Sequence, residues 1–342
     1  MTKPSPLASL DELRALITSL PDGDEAAAEA AAAREALLTK PAGALGRLEE
    51  LSVWLARWQG RHPPRIDRPR VAVFAGNHGI AARGVSAYPP AVTAQMVQNF
   101  IAGGAAINQL CKAVDADLRV YEMALDHPTR DFTEEPALSG EECARAAAYG
   151  MMAVEPGVDL LCLGEMGIGN TTSAAALCHA LYGGAAADWV GPGTGAEGAT
   201  LARKVEVVAT GVTHNRATMT DPFEILRCVG GHELAAIAGA VLAARLAHVP
   251  VVLDGYASTA AAAIIHGARP GALDHCIVAH CSAEPGHARL LKRLGKRPVL
   301  DLGMRLGEAS GAALAVGILR AAVACHTGMA TFEEARVSGR DA

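Results

Sequence analysis

Two carboxylates stand beside glycine-rich loops in this chain. The stretch "GEMGIGNTTSAAAL" (164–177) joins Glu165 to spaced glycines, including Gly167, and to Asn170, Thr171 and Thr172 ahead of an alanine run. One reading of the triplet is a helix cap. The other is an anion site, because the N–H groups and dipole at a helix start attract a phosphate. A carboxylate next to such a site repels its ligand, unless that ligand carries separated charges. A second stretch, "DLGMRLGEASGAALAVGIL" (301–319), sets Glu308 in a glycine-flanked loop leading into an apolar run. Taken alone, Glu308 reads as a surface acid. Placed in an apolar cleft, it would lose hydration, its pKa would rise, and it would suit proton transfer. Arg305 is then a structural partner or a ligand clamp. The chain has no GxxxxGK[ST] loop, which favours a single phosphate over nucleoside-triphosphate hydrolysis.

Three further segments carry candidates. In "GPGTGAEG" (191–198), Gly193, Gly195 and Gly198 match GxGxxG, but only a short "ADWV" strand precedes them. No acid-ended strand follows at the distance a dinucleotide fold needs. A phosphate or ribose loop and a plain connector both fit. In "AHCSAEPGHARLL" (279–291), Ser282 and Gly286 precede a helix. Glu284 with His280 and His287 lacks the HExxH spacing, so solvated or capping roles are expected and no metal is called. Lys204 lies on a helical stretch and matters only if that helix faces the ligand. There is no G-x-S-x-G elbow and no papain-type cysteine signature.

These loops need elements to hold them. Apolar, β-branched runs at 71–76, 117–125, 159–165, 249–256, 276–280 and 297–303 alternate with helical stretches. Such units predict an α/β fold with a parallel sheet covered on both faces. Ligands bind beyond the carboxyl ends of such strands, and the candidate loops follow these runs. Helices are expected at 8–19, 24–39 and 172–182, with a glycine-punctuated turn and helix over 40–58.

The 342 residues are 51% apolar and 19% charged, as in a folded globular chain. A net charge of −6 argues against nucleic acid as the main partner. The eight cysteines form no CxxC pair and read as reduced thiols of a cytosolic protein. The start of the chain is charged, without a signal-peptide core. Apolar stretches near 234–244 and 310–319 are cut by Arg245 and Arg320 and are too short to span a bilayer.

In order along the chain stand "KPAGALGRLE", "AGNHGI", "GVSAYPPAVTAQMV", "GEMGIGNTT", "VGGHELAAIAGA", "VVLDGY", "HCSAEPGH" and "LDLGMRLGEASGAALA". This series, covering about residues 35–335, closely resembles the nicotinate-nucleotide–dimethylbenzimidazole phosphoribosyltransferases of cobalamin lower-ligand synthesis. The resemblance implies a large Rossmann-like domain (69–324) and a small helical domain from both chain ends (1–68 with about 325–342). It implies a cytoplasmic homodimer without metal or organic cofactor. It also implies transfer of ribose 5-phosphate from nicotinate mononucleotide to 5,6-dimethylbenzimidazole, with inversion at C1′.

Carried over residue by residue, Glu308 is the general base, with Glu165 and Lys204 as further catalytic groups. Gly167, Asn170, Thr171, Thr172, Gly193, Gly195 and Ser282 would hold the phosphoribosyl group. Ser86, Tyr88, Gln95, Met304 and Leu306 would hold the base. Relatives commonly carry AGDHG where this chain has Asn77, and some carry glutamine at the position of Met96. The acceptor therefore stays open among benzimidazole, adenine and phenols. Two rivals of other classes are a non-catalytic nucleotide- or base-binding protein and a nicotinamide-dependent oxidoreductase resting on the GxGxxG match.

Overall fold

The computed structural model describes residues 9–338; the first eight and last four residues of the expected small domain lie outside them. Five parallel strands form one sheet: β1 (Pro69–Ala75), β2 (Asp117–Glu122), β3 (Leu160–Met166), β4 (Val251–Leu253) and β5 (Cys276–Val278). Their order is β2-β1-β3-β4-β5. Side chains alternate across the sheet, as the period-two geometry of a strand requires. Ala72, Phe74, Leu161, Leu163, Val251 and Leu253 join one core. Val71, Val73, Leu160, Cys162, Val252 and Ile277 join the other. With both faces buried, β1, β3, β4 and β5 read as mostly apolar runs, whereas edge strand β2, expected as an apolar run, is half-exposed and alternates polar with apolar residues.

On the first face, helices Gly140–Met151 and His232–Leu246 pack tightly on each other. A Cβ on Gly150 would lie 1.9 Å from the Ala236 carbonyl oxygen, and one on Gly239 would lie 2.0 Å from that of Ala147. On the second face, helix Ser310–Gly328 packs against β1, β3 and β4 and against helix Arg47–Gln59. This helix runs on through Arg320, beyond the stretch seen in sequence, and it is long and apolar enough to cross a membrane by length and composition. Ala312, Ala313, Ala315, Val316 and Leu319 are fully buried in the second core, as in the core helix of a globular fold.

Three local expectations change. The run at 297–303 forms no full sixth strand: it makes one parallel bridge, His280–Leu300, with backbone bonds from Val299 and Leu300 to Val278 and Ala279, before the chain turns at Gly303, φ +67°. "ADWV" is no strand either; Ala186–Asp188 forms a short 3₁₀ turn. The GxGxxG glycines thus follow a helical turn, which removes the βα context of a dinucleotide site. The helix expected at 172–182 starts at Asn170, and its N-cap is Gly169 at φ +96° with no side-chain cap. Asn170 and Thr171 point their side chains elsewhere.

Candidate functional site

The carboxyl ends of β3, β4 and β5 open onto a cleft of about 700 Å³. A second cavity, about 730 Å³, lies by helices Glu25–Leu37 and Arg47–Gln59. None of the loops at the carboxyl strand ends reaches that cavity, and its sheet-side residue Asp274 precedes β5. Parallel sheets bind ligands at the other end, so the first cleft is the candidate site.

Glu165 and Glu308 face this cleft from adjacent segments. Glu165 lies at the end of β3. Glu308 sits in a left-handed turn, with φ +61° there and +59° at Ala309. Neither residue is glycine, so the turn stores backbone strain of the kind found at functional sites. Sheet contacts hold it: the Glu308 N–H donates to the Glu165 carbonyl at 3.1 Å. Gly164 makes this approach possible, because a Cβ there would lie 2.1 Å from the Ala309 nitrogen.

Behind the turn, buried Asp254 follows β4. Its Oδ1 accepts the N–H of Ala312 at 2.9 Å and so pins the helix that continues from Glu308. Burial pushes the Glu308 carboxyl up to about 7. Burial also pushes Asp254 up to about 7, against the backbone N–H groups it accepts. Glu165 rises to about 8 through burial first and then the nearby Asp254, Glu233 and Glu308 carboxylates; the amide it accepts from Asn170 opposes this. Strongly perturbed carboxyls at a cleft mark a functional site.

Cationic groups gather at the Gly191–Gly193 loop. Lys204 is 1% exposed, and its ammonium donates to Thr171 Oγ1 at 2.8 Å and the Gly191 carbonyl at 2.9 Å. Burial lowers its pKa to about 8, while Glu284 opposes the fall. The sequence default of a surface lysine is thus overturned. Arg305 donates to the Gly193 carbonyl at 2.8 Å, so it joins the two glycine loops across the cleft.

Of the residues named from sequence, Glu165, Gly167, Asn170, Thr171, Gly193, Ser282, Tyr88, Leu306 and Glu308 line the cleft. Lys204 reaches it through Thr171. Ser86 stands behind the wall, hydrogen-bonded to Thr194 Oγ1 at 3.0 Å. Thr172 is fully buried on the inner side of its helix, and Gly195 lies past the lining part of its loop. Gln95 is exposed beside Met96, and Met96 is the lining residue. Met304 also falls outside the lining and accepts the Ala283 N–H through its carbonyl. Asn77 ties to the Leu125 carbonyl at 2.9 Å and does not line the cleft.

Sequence reasoning passed over Asp254 and Thr194, and His280, expected to be solvated or capping, is 1% exposed and lines the cleft. Asp254 had a signal: a lone acid ending the apolar run of "VVLDGY". Glu284 departs from the solvated or capping role expected of it. It is 4% exposed, caps nothing with its side chain, and reaches Gly193. His287 is fully buried, accepting the Ser282 N–H at Nδ1. Ser173, His78 and Glu233 form a Ser-His-acid chain, with 3.1 Å between Ser173 Oγ and His78 Nδ1 and 2.5 Å between His78 Nε2 and Glu233 Oε1. All three are buried outside the cleft lining, so the chain braces the loop after β1 and presents no nucleophile.

The family model described as Phosphoribosyltransferase matches residues 20–337. A nicotinate-nucleotide–dimethylbenzimidazole phosphoribosyltransferase of Methylocella silvestris is 62% identical over 333 residues, covering 97% of this chain and 98% of the relative. The protein of the same name from Sinorhizobium medicae is 59% identical, covering 96% and 97%. The crystal structure of CobT from Thermus thermophilus superposes with a TM-score of 0.86 at 44% identity, over 92% of this chain and 99% of that one. With near-complete coverage on both sides, the chain belongs to the nicotinate-nucleotide–dimethylbenzimidazole phosphoribosyltransferase family.

Proposed function

We propose that this cleft moves the ribose 5-phosphate of nicotinate mononucleotide to 5,6-dimethylbenzimidazole, as the names of its relatives describe. The products are α-ribazole 5′-phosphate and nicotinate. The donor's pyridinium nitrogen takes the electron pair of the breaking bond to C1′, so nicotinate leaves without a proton. The acceptor nitrogen forms the new bond to C1′ from the opposite face, which inverts that carbon. Its other ring nitrogen must lose a proton as positive charge develops. Glu308 takes it. The observation that carries this reading is Glu308 itself: a buried carboxylate on the cleft wall, raised to about 7, where a base works best near neutral pH.

The phosphate belongs with Thr171, Gly193, Lys204 and Ser282, and Glu165 stands on the side of the cationic sugar. The ligand's own charge separation then resolves the conflict between an acid and an anion site. Tyr88, Met96 and Leu306 offer the acceptor apolar contact, which supports use of related flat bases. Tyr88 is 54% and Leu306 56% exposed, which suits burial by the acceptor ring or by the partner of a homodimer. A cytoplasmic setting and a small domain formed by both chain ends belong to the same reading. In support of the latter, Leu38 bridges Thr331, and Arg34 donates to the His326 carbonyl.

The test is turnover of nicotinate mononucleotide and 5,6-dimethylbenzimidazole, with products resolved by chromatography and mass. α-Ribazole phosphate with released nicotinate is expected, and the rate of both should fall by about 10²–10⁴ in Glu308→Ala. Binding of the mononucleotide without turnover on any benzimidazole, purine or phenol would overturn the enzymatic reading.

A further inference from the structure

The Gly193 N–H donates to Glu284 Oε1 at 2.7 Å. The second oxygen, Oε2, is buried without a hydrogen-bond partner. The Glu284 backbone N–H donates to Ser282 Oγ at 3.3 Å. Lys204 lies within electrostatic reach of this carboxylate. Gly193, Lys204 and Ser282 are the groups assigned above to the donor's phosphate. A two-oxygen anion hydrogen-bonded to that N–H and close to that ammonium has the chemistry of part of a phosphate.

We propose that Glu284 is an internal anion seated in the phosphate subsite, which the phosphate of the donor must displace. Glu284 is thereby a specificity-determining residue. A singly charged anion gains too little from Gly193 and Lys204 to expel the carboxylate, whereas a phosphomonoester dianion gains enough. The carboxylate has a second station at hand. Glu284 is the N-cap residue of helix Pro285–Leu294, and its side chain makes no bond to that helix start. Pro285 has no N–H and the His287 N–H donates to the Glu284 carbonyl, so rotation of the side chain would bring it toward the Gly286 N–H, where the helix dipole favours negative charge.

The inference rests on the phosphate subsite proposed above, and the experiment separates the two. Inorganic phosphate is titrated as an inhibitor against nicotinate mononucleotide, in wild type and in Glu284→Gln. The glutamine keeps an oxygen for the Gly193 N–H and removes the charge, and its melting curve verifies the fold. The expected result is competitive inhibition, with the phosphate inhibition constant in Glu284→Gln lower by on the order of tenfold or more, as loss of one charge a few ångströms away implies. The KM for the mononucleotide should fall with it. An unchanged or higher inhibition constant in Glu284→Gln makes the residue a mere tie for the loop and overturns the proposal. Phosphate that does not compete in wild type overturns the subsite itself and the proposal with it. The wild-type protein gives a second readout: the Gly193 amide resonance should shift as phosphate replaces the carboxylate. An unmoved resonance at saturating phosphate overturns the exchange.

Discussion

Replacing Glu308 by Gln should abolish most turnover while making the protein more stable at alkaline pH. The glutamine keeps size, shape and the left-handed backbone, and removes only the ability to take a proton. A positioned general base contributes about 10²–10⁴ in rate, or roughly 3–5 kcal/mol of transition-state stabilisation. In wild type, kcat/KM should fall as pH drops through about 7, where Glu308 becomes protonated. One pH unit below that value, about a tenth of the base is ionised, and the rate should follow.

Stability runs the other way. The folded-state pKa of Glu308 is raised, so the folded chain keeps this proton after the unfolded chain has lost it. Its burial therefore costs little below about pH 4. The cost grows as pH climbs to about 7 and is complete above it. A shift of this size corresponds to about 3 kcal/mol at pH 8, so Glu308→Gln should raise the melting temperature at pH 8 and leave it nearly unchanged at pH 4. Stopped-assay kinetics across pH 5–9 and matched melting curves read both effects. Turnover within threefold of wild type, or an acid limb unmoved in Glu308→Gln, would refute the general-base argument. A lower melting temperature at pH 8 would refute the burial argument.

Lys204→Met should weaken kcat/KM for the mononucleotide by about 10–100-fold, as loss of a buried charge-assisted contact of roughly 1.5–3 kcal/mol implies, and act mainly through KM. Steady-state kinetics check this, and an effect confined to kcat would place Lys204 elsewhere in the reaction. Gly164→Ala should lower stability and activity together, because its Cβ would stand 2.1 Å from the Ala309 nitrogen and push the Glu308 turn outward. Normal melting and normal turnover in that variant would contradict the close approach. His326→Ala should cost about 1–3 kcal/mol. It breaks the 2.7 Å contact between His326 Nδ1 and Glu35 and leaves that largely buried carboxylate with Lys40 alone. Denaturant unfolding measures this, and turnover should stay near wild type.

Much of the architecture could be read from residue order. A strand covered on both faces leaves few polar positions, so β1, β3, β4 and β5 showed as largely apolar runs, and the helices between them implied parallel pairing. The glycine loops after those runs marked the ligand end of the sheet. Edges were harder. "RPVLDLG" has strand composition and bonds to the end of β5 through Val299 and Leu300, but the chain turns away at Gly303 into the Glu308 loop before a ladder can build, a departure that strand composition does not show. "ADWV" likewise became a turn, since nothing in a four-residue run encodes pairing. Side-chain direction was not legible: Asn170 and Thr171 looked like caps, yet they answer to Glu165 and Lys204, which come from other elements.

The sequence by itself determined the strand–helix alternation, the loops that meet the ligand and the two carboxylates worth testing. These depend on local periodicity and on residue types that few other roles explain. Only the tertiary structure decided which charges are buried and what they face. It converted Lys204 from a surface lysine into a buried ammonium, Glu284 from a solvated cap into a carboxylate inside the cleft, and Asp254 from a strand-end residue into the anchor behind Glu308. Burial and pairing are set by segments far apart in the chain. The pKa of a carboxyl is therefore a property of the assembled neighbourhood, and no reading of adjacent residues could supply it.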